Sequence, residues 1–178
     1  MKRKAISLFL VLATAMCLML GGCGKTGNPD SSGAGGGNVT NATFTLEEVA
    51  SGYSVKGLKD KSVTEIVVPS EIKGKPVTEI ADSAFKDLAK VTSVVIPDSV
   101  IKIGKNALKG MGALKSLTAP FVGSSATAKG EKALLGYMFG VGEYVGASAV
   151  EQVFGDAAEE KEFYYIPDSL STVKISGD

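Results

Sequence analysis

Carboxylates are the side chains most able to do chemistry in this chain, because it contains no His. A missing imidazole removes the commonest general base near neutral pH and the commonest metal ligand. It argues against His-based nucleophilic triads and most zinc sites. The carboxylates gather as Glu47-Glu48 and as Glu159-Glu160 with Glu162. A glycosidase pair needs two carboxyl groups on opposite sides of the scissile bond. Neighbours in sequence rarely supply that geometry, so these groups read as solvated charge. Gly140-Val141-Gly142 with Gly146 misses the dinucleotide-loop spacing by one residue and lacks a preceding strand. No phosphate loop, metal cluster or activated nucleophile is recognisable. No catalytic residue, metal or cofactor is therefore expected.

Cys23 is the residue whose setting implies a definite covalent modification. Lys2-Arg3-Lys4 form a positive start, and Ala5 to Leu20 is an apolar run broken only mildly by Ser7 and Thr14. Leu20-Gly21-Gly22-Cys23 follows. A charged start, a short apolar stretch and small residues before a cut define a secretory leader over 1–22. With Cys at the cut, the motif resembles the lipobox of bacterial lipoproteins, with Gly21 where Ala or Ser is usual. The resemblance implies cleavage after Gly22 and a diacylglycerol thioether on Cys23, with membrane lipid as the partner. The chain is then expected on the extracytoplasmic face of the cell membrane, lipid-anchored. Each buried methylene adds about 0.8 kcal/mol, and two acyl chains hold stably where one is marginal. The alternatives are a transmembrane anchor, for which the run is short of the roughly 20 residues a span needs, and plain secretion with a free thiol. Cys17 leaves with the leader, so no disulfide can form within the mature chain.

Residues 23–42 read as a flexible tether rich in Gly, Ser and Asn. Losing the leader's three basic residues leaves a net charge of about −3. No basic patch stands out, so nucleic acid is not an expected partner.

The remaining residues, 43–178, repeat. Val63-Thr64-Glu65-Ile66-Val67-Val68-Pro69 aligns with Val91 to Pro97 and with Leu114 to Pro120. Apolar residues fall at 0, +3 and +5, with Pro at +6. A second block aligns Val77 to Ile80 and Ala84-Phe85 with Val100 to Ile103 and Ala107-Leu108. Alternating β-branched residues predict a strand with one face buried, ended by a Pro that cannot donate to a ladder. Asp82-Ser83 and Lys105-Asn106 suit a short helical turn on the far side. Each unit is too small to hide its apolar face alone, so stacking must complete the core. A period in the low twenties predicts an α+β repeat fold, a short β-rich leucine-rich-repeat-like solenoid.

On Ile96-Pro97-Asp98-Ser99-Val100, Ile103-Gly104 and Ala107-Leu108, the chain resembles the BspA-type leucine-rich-repeat surface proteins of bacteria. Leu88 and Met111 stand where that family usually has Cys. Thr43 to Leu46 and Tyr53 to Val55 flank Ser51-Gly52 as an N-terminal β-hairpin cap. An irregular insert is expected at about 121–163, and Val145 to Glu160 carries helix-compatible residues bounded or broken by Gly146 and Gly155. Two registers fit the end of the chain. One places Leu170, Val173 and Ile175 at 0, +3 and +5. The other equates Ile166 to Leu170 with Ile96 to Val100. In the first, preferred register the last repeat is half built, and its edge invites a repeat-protein partner.

Strand positions +2 and +4 point away from the core. They place Glu65, Val67, Ser93, Val95, Ser116 and Thr118 in two ladders on an open face, which Thr172 and Lys174 extend. Val67 and Val95 are apolar where solvent is expected, which suits a contact surface or ordinary cross-strand packing. Tyr137, Phe139, Tyr144, Phe163, Tyr164 and Tyr165 either fill core or stack on a ligand. The resemblance implies adhesion, or recognition of a surface protein or glycan, without catalysis. The rival readings are an envelope assembly subunit and, opposed by the missing His and the lack of two lobes, a solute-binding lipoprotein or hydrolase.

Overall fold

The computed structural model describes residues 43–155 and 160–177. The leader, Cys23 and the tether over 23–42 lie outside the described residues.

The three aligned segments stand side by side. Strands β3 (Glu65–Val67), β6 (Ser93–Val95), β8 (Ser116–Ala119) and β11 (Thr172–Ile175) form a parallel sheet in the order β11-β8-β6-β3. Ile66 pairs with Val94, Val94 with Leu117, and Leu117 with Val173. The terminal residues follow the preferred register, with Val173 and Ile175 at the inward positions. Hydrogen bonds carry the ladder beyond the short strands. The Thr92 N–H donates to the Thr64 carbonyl at 2.7 Å, and the Ile96 N–H to the Thr118 carbonyl at 2.8 Å. Ile66, Val94 and Leu117 are buried as a column, as stacking requires.

A second column runs beside the first. β2 (Gly52–Leu58), β5 (Lys75–Ile80) and β7 (Lys102–Ile103) pair in parallel, and β1 (Phe44–Val49) pairs antiparallel with β2. Two-residue β4 (Glu71–Ile72) folds back on β5 across the Lys73-Gly74 turn. Phe44 meets Phe85 edge to face, with ring centroids 6.4 Å apart.

A third column replaces the expected helical turns. Ser83, Asp87 and Asn106 adopt left-handed φ values of 57°, 63° and 61°. The Phe85 N–H donates to the Ala107 carbonyl at 2.9 Å, and the Leu108 N–H to the Met138 carbonyl at 2.9 Å. A residue with positive φ every few positions breaks a helix into successive turns. Asp, Ser and Asn suit both helix starts and such turns, which is why the sequence favoured the wrong one. The described fold is thus mostly β, with a parallel repeat sheet, rather than α+β.

The segment after Pro120 is more regular than expected. A 3-10 turn at Gly130–Ala133 leads into α1 (Leu135–Phe139). β9 (Ala147–Val153) then pairs antiparallel with β10 (Lys161–Pro167), from Lys161–Val153 to Pro167–Ala147. Ala147–Val153 of the helix-compatible stretch is therefore a strand, and β10 runs through the expected insert boundary at 163. Pairing with an aromatic strand overrides the local helix preference of Ala147–Val153. Tyr164 enters the core beside α1, where Gly136 is required: a Cβ there would fall 2.1 Å from Tyr164 Cγ.

Candidate functional site

Two surfaces are candidates, an open sheet face and a groove. The sheet face carries every binding residue expected from the sequence. Glu65, Ser93, Ser116 and Thr172 form one row across the four strands. Val67, Val95, Thr118 and Lys174 form the next. Rungs of such a sheet lie about 4.8 Å apart. Val67 is 45% exposed, and Ser93, Val95, Ser116 and Thr118 are half-buried between neighbours. Just before the strands, the Thr92 hydroxyl donates to the Thr64 carbonyl at 3.2 Å. The face therefore offers hydroxyls and two valines, with Glu65 on one edge strand and Lys174 on the other.

The groove was not legible in sequence. It consists of two hollows that share Ile101 and Ser125. One, of about 360 Å³, is bordered by Asp98, Pro120, Phe121 and Thr127. The other, of about 380 Å³, is bordered by Glu79, Lys102, Ser124, Lys132 and Tyr137. Its frame is tied to the repeats. The Ile103 N–H donates to the Ser124 carbonyl at 2.9 Å, and the Ser124 N–H to the Lys132 carbonyl at 2.7 Å. Gly123 permits this closeness, because a Cβ there would sit 2.2 Å from the Lys132 carbonyl oxygen and φ is +86°. The Asn106 N–H fixes Tyr137 through its carbonyl at 3.0 Å. The one available sequence signal was Ile101, an exposed isoleucine at the repeat position of Thr78.

Two ion pairs lie near the groove. Lys102 lies 3.6 Å from Glu79, and Lys105 lies 3.0 Å from Glu131. The hydrogen bond from Lys105 holds the Glu131 carboxyl below its ordinary pKa, against the opposing effect of burial. Burial pushes the Tyr164 phenol up, and the Glu131 carboxylate adds to the shift. The Tyr164 hydroxyl has no hydrogen-bond partner among the described residues. Burial likewise raises Tyr137 and Tyr144.

The expected carboxylate groups do not converge. Glu47 bridges to Lys56 at 3.0 Å, and Glu48 pairs with Lys75. Glu159 lies outside the described residues, and Glu162 accepts the N–H of Phe163 at 3.0 Å. Among the described residues no group of three His, Cys, Asp or Glu could hold a metal ion. The aromatics divide: Phe139 and Tyr164 are buried, whereas Phe163 is 51% exposed. No helix among the described residues is long and apolar enough to cross a membrane.

Fold and surfaces define a parallel β-repeat domain with an open sheet face. Two solved structures of bacterial proteins are similar to it. One is a leucine-rich repeat protein of T. pallidum, at 25% identity over 46% of this chain and 43% of that one, with a TM-score of 0.39. The other is a leucine-rich cell surface protein of Faecalibacterium prausnitzii, at 26% identity over 50% of this chain and 24% of that one, with a TM-score of 0.41. The matched region spans less than half the length of either. No family model matches the chain, and no curated protein matches it.

Proposed function

We propose that this chain is an extracytoplasmic recognition protein, held at the membrane by lipid on Cys23, that presents its sheet face to a protein or glycan without catalysing a reaction. The observation that carries this reading is the in-register row Val67–Val95–Thr118, open to solvent beside the row Glu65–Ser93–Ser116. A contiguous surface that is part apolar and part hydroxyl, on a hydrogen-bonded sheet, binds without the cost of ordering loops. The test is binding of the full chain to envelope and host extracts, compared with the Val67→Lys, Val95→Lys double variant. The reading expects binding to fall while the thermal transition stays in place. Undiminished binding by a folded double variant removes this face.

A second reading has support from the edge strand β11. Val173 and Ile175 occupy inward positions yet are 41% and 45% exposed. An edge strand with apolar side chains and no second partner among the described residues is a template for another strand. In this reading the chain is an assembly subunit of the envelope. Concentration-dependent association, lost in a Val173→Lys, Ile175→Glu variant, would favour it; a monomer at high concentration would count against it.

A further inference from the structure

The groove beside β7 is a surface separate from the sheet face, and its chemistry is specific. Ile101, 59% exposed, borders both of its hollows. Tyr137, the Glu79–Lys102 ion pair, Lys132 and Ser125 border the larger one with it. Asp98 and Phe121 continue it on the far side of Ile101. The acids Glu79 and Asp98 offset the bases Lys102 and Lys132, so the groove selects no net charge. It offers hydrogen-bond donors and acceptors together with the apolar Ile101 and the aromatic Tyr137.

We propose that this groove binds a neutral oligosaccharide. A sugar ring has a C–H face, which covers Ile101 and stacks on Tyr137, and edge hydroxyls that each donate and accept. Glu79 and Asp98 accept from them, and Lys102, Lys132 and Ser125 donate. Two hollows joined at Ile101 and Ser125 accommodate more than one ring. A peptide would dock best by adding a strand to an open edge. Here the Ile103 N–H of β7 is already taken by the Ser124 carbonyl at 2.9 Å. The backbone bonds through Ser124, Lys132 and Tyr137 hold the walls before any ligand arrives, which lowers the ordering cost of binding.

The full chain in detergent would be titrated with cello-, chito- and xylo-tetrasaccharides, with sialylated and sulfated glycans, and with an uncharged octapeptide. Tyrosine fluorescence is a clean readout because the chain has no Trp. The proposal expects saturable binding of at least one neutral tetrasaccharide. Ile101→Glu places a charge under the ring, and Ser125→Tyr fills the junction of the two hollows. Loss of about tenfold or more in affinity in either variant, with an unchanged circular dichroism spectrum, supports the site. The Val67→Lys, Val95→Lys variant should bind these sugars as the parent does, which separates the groove from the sheet face. Absence of saturable binding overturns the proposal. So does binding confined to charged glycans or the peptide, or affinity unchanged in both groove variants.

Discussion

Ile101 and Thr78 occupy equivalent places on adjacent rungs of the second column, yet Thr78 is 6% exposed and Ile101 is 59% exposed. The Ile101 N–H donates to the Thr78 carbonyl at 2.8 Å, so the two are direct neighbours. Ser51 covers Thr78 through a hydroxyl contact of 2.9 Å. Ile101 has no such cover, and residues of the segment from Phe121 to Lys132 border the hollows beside it. The same repeat position thus serves packing on one rung and surface chemistry on the next.

The inward column should carry the stability. Leu117 is 1% exposed at the centre of the parallel sheet. Leu117→Ala should cost roughly 2–5 kcal/mol, whereas Ser116→Ala beside it should change stability by about 0.5 kcal/mol or less. Denaturant unfolding of both variants checks this. Equal effects would mean that the two residues do not face opposite sides.

The left-handed turns give a second expectation. Asn106 holds φ at 61°. Asn106→Val should destabilise by about 1–3 kcal/mol, because a β-branched residue resists that conformation. Asn106→Gly should be near neutral. Thermal melts of the pair separate backbone strain from loss of the amide.

Acid should loosen the contact between Lys105 and Glu131. The folded pKa of Glu131 is depressed, chiefly by the Lys105 hydrogen bond. Its contribution is therefore complete above the ordinary value of 4.5 and is lost as pH falls through the lower folded value. Both side chains are more than a third exposed, so the contribution should stay under about 1 kcal/mol. Urea midpoints measured down through this range should converge for the parent and Lys105→Met.

Alkali acts on Tyr164 with the opposite sign. Burial raises its phenol above the ordinary value of 10.0, so the folded state resists ionisation. Stability from the neutral phenol is complete below the ordinary value and falls as pH rises past it. Ultraviolet titration should show Tyr164 ionising only with unfolding, and Tyr164→Phe should flatten the alkaline loss.

The lipid proposal is tested apart from the fold. Cys23→Ala should move the chain from the membrane fraction to the soluble one and abolish incorporation of labelled palmitate. Retention at the membrane without label would point to a span instead.

The first column was legible because Val63–Val68, Val91–Ile96 and Leu114–Ala119 alternate with the period of a half-buried strand. The open rows at Glu65, Val67, Ser93, Val95, Ser116 and Thr118 followed from the same alternation. The turns were misread because Asp82-Ser83 and Lys105-Asn106 suit a helix start as well as a left-handed turn. β9 was hidden because Ala147–Val153 becomes a strand only through its partner β10. Apart from Ile101 at the repeat position of Thr78, the groove left no sequence signal. Glu79, Ile101, Ser125, Lys132 and Tyr137 share no spacing, and a glycine-dependent loop crossing unites them.

The central claim is that short repeat strands bury their apolar sides only by lying in register against one another. Backbone nuclear Overhauser effects of the isotope-labelled full chain test it most directly. The account predicts parallel-sheet cross-peaks linking Glu65–Val67 with Ser93–Val95, and Ser93–Val95 with Ser116–Thr118. Sequential peaks in those segments with no cross-peaks between them, or an antiparallel pattern, would contradict it.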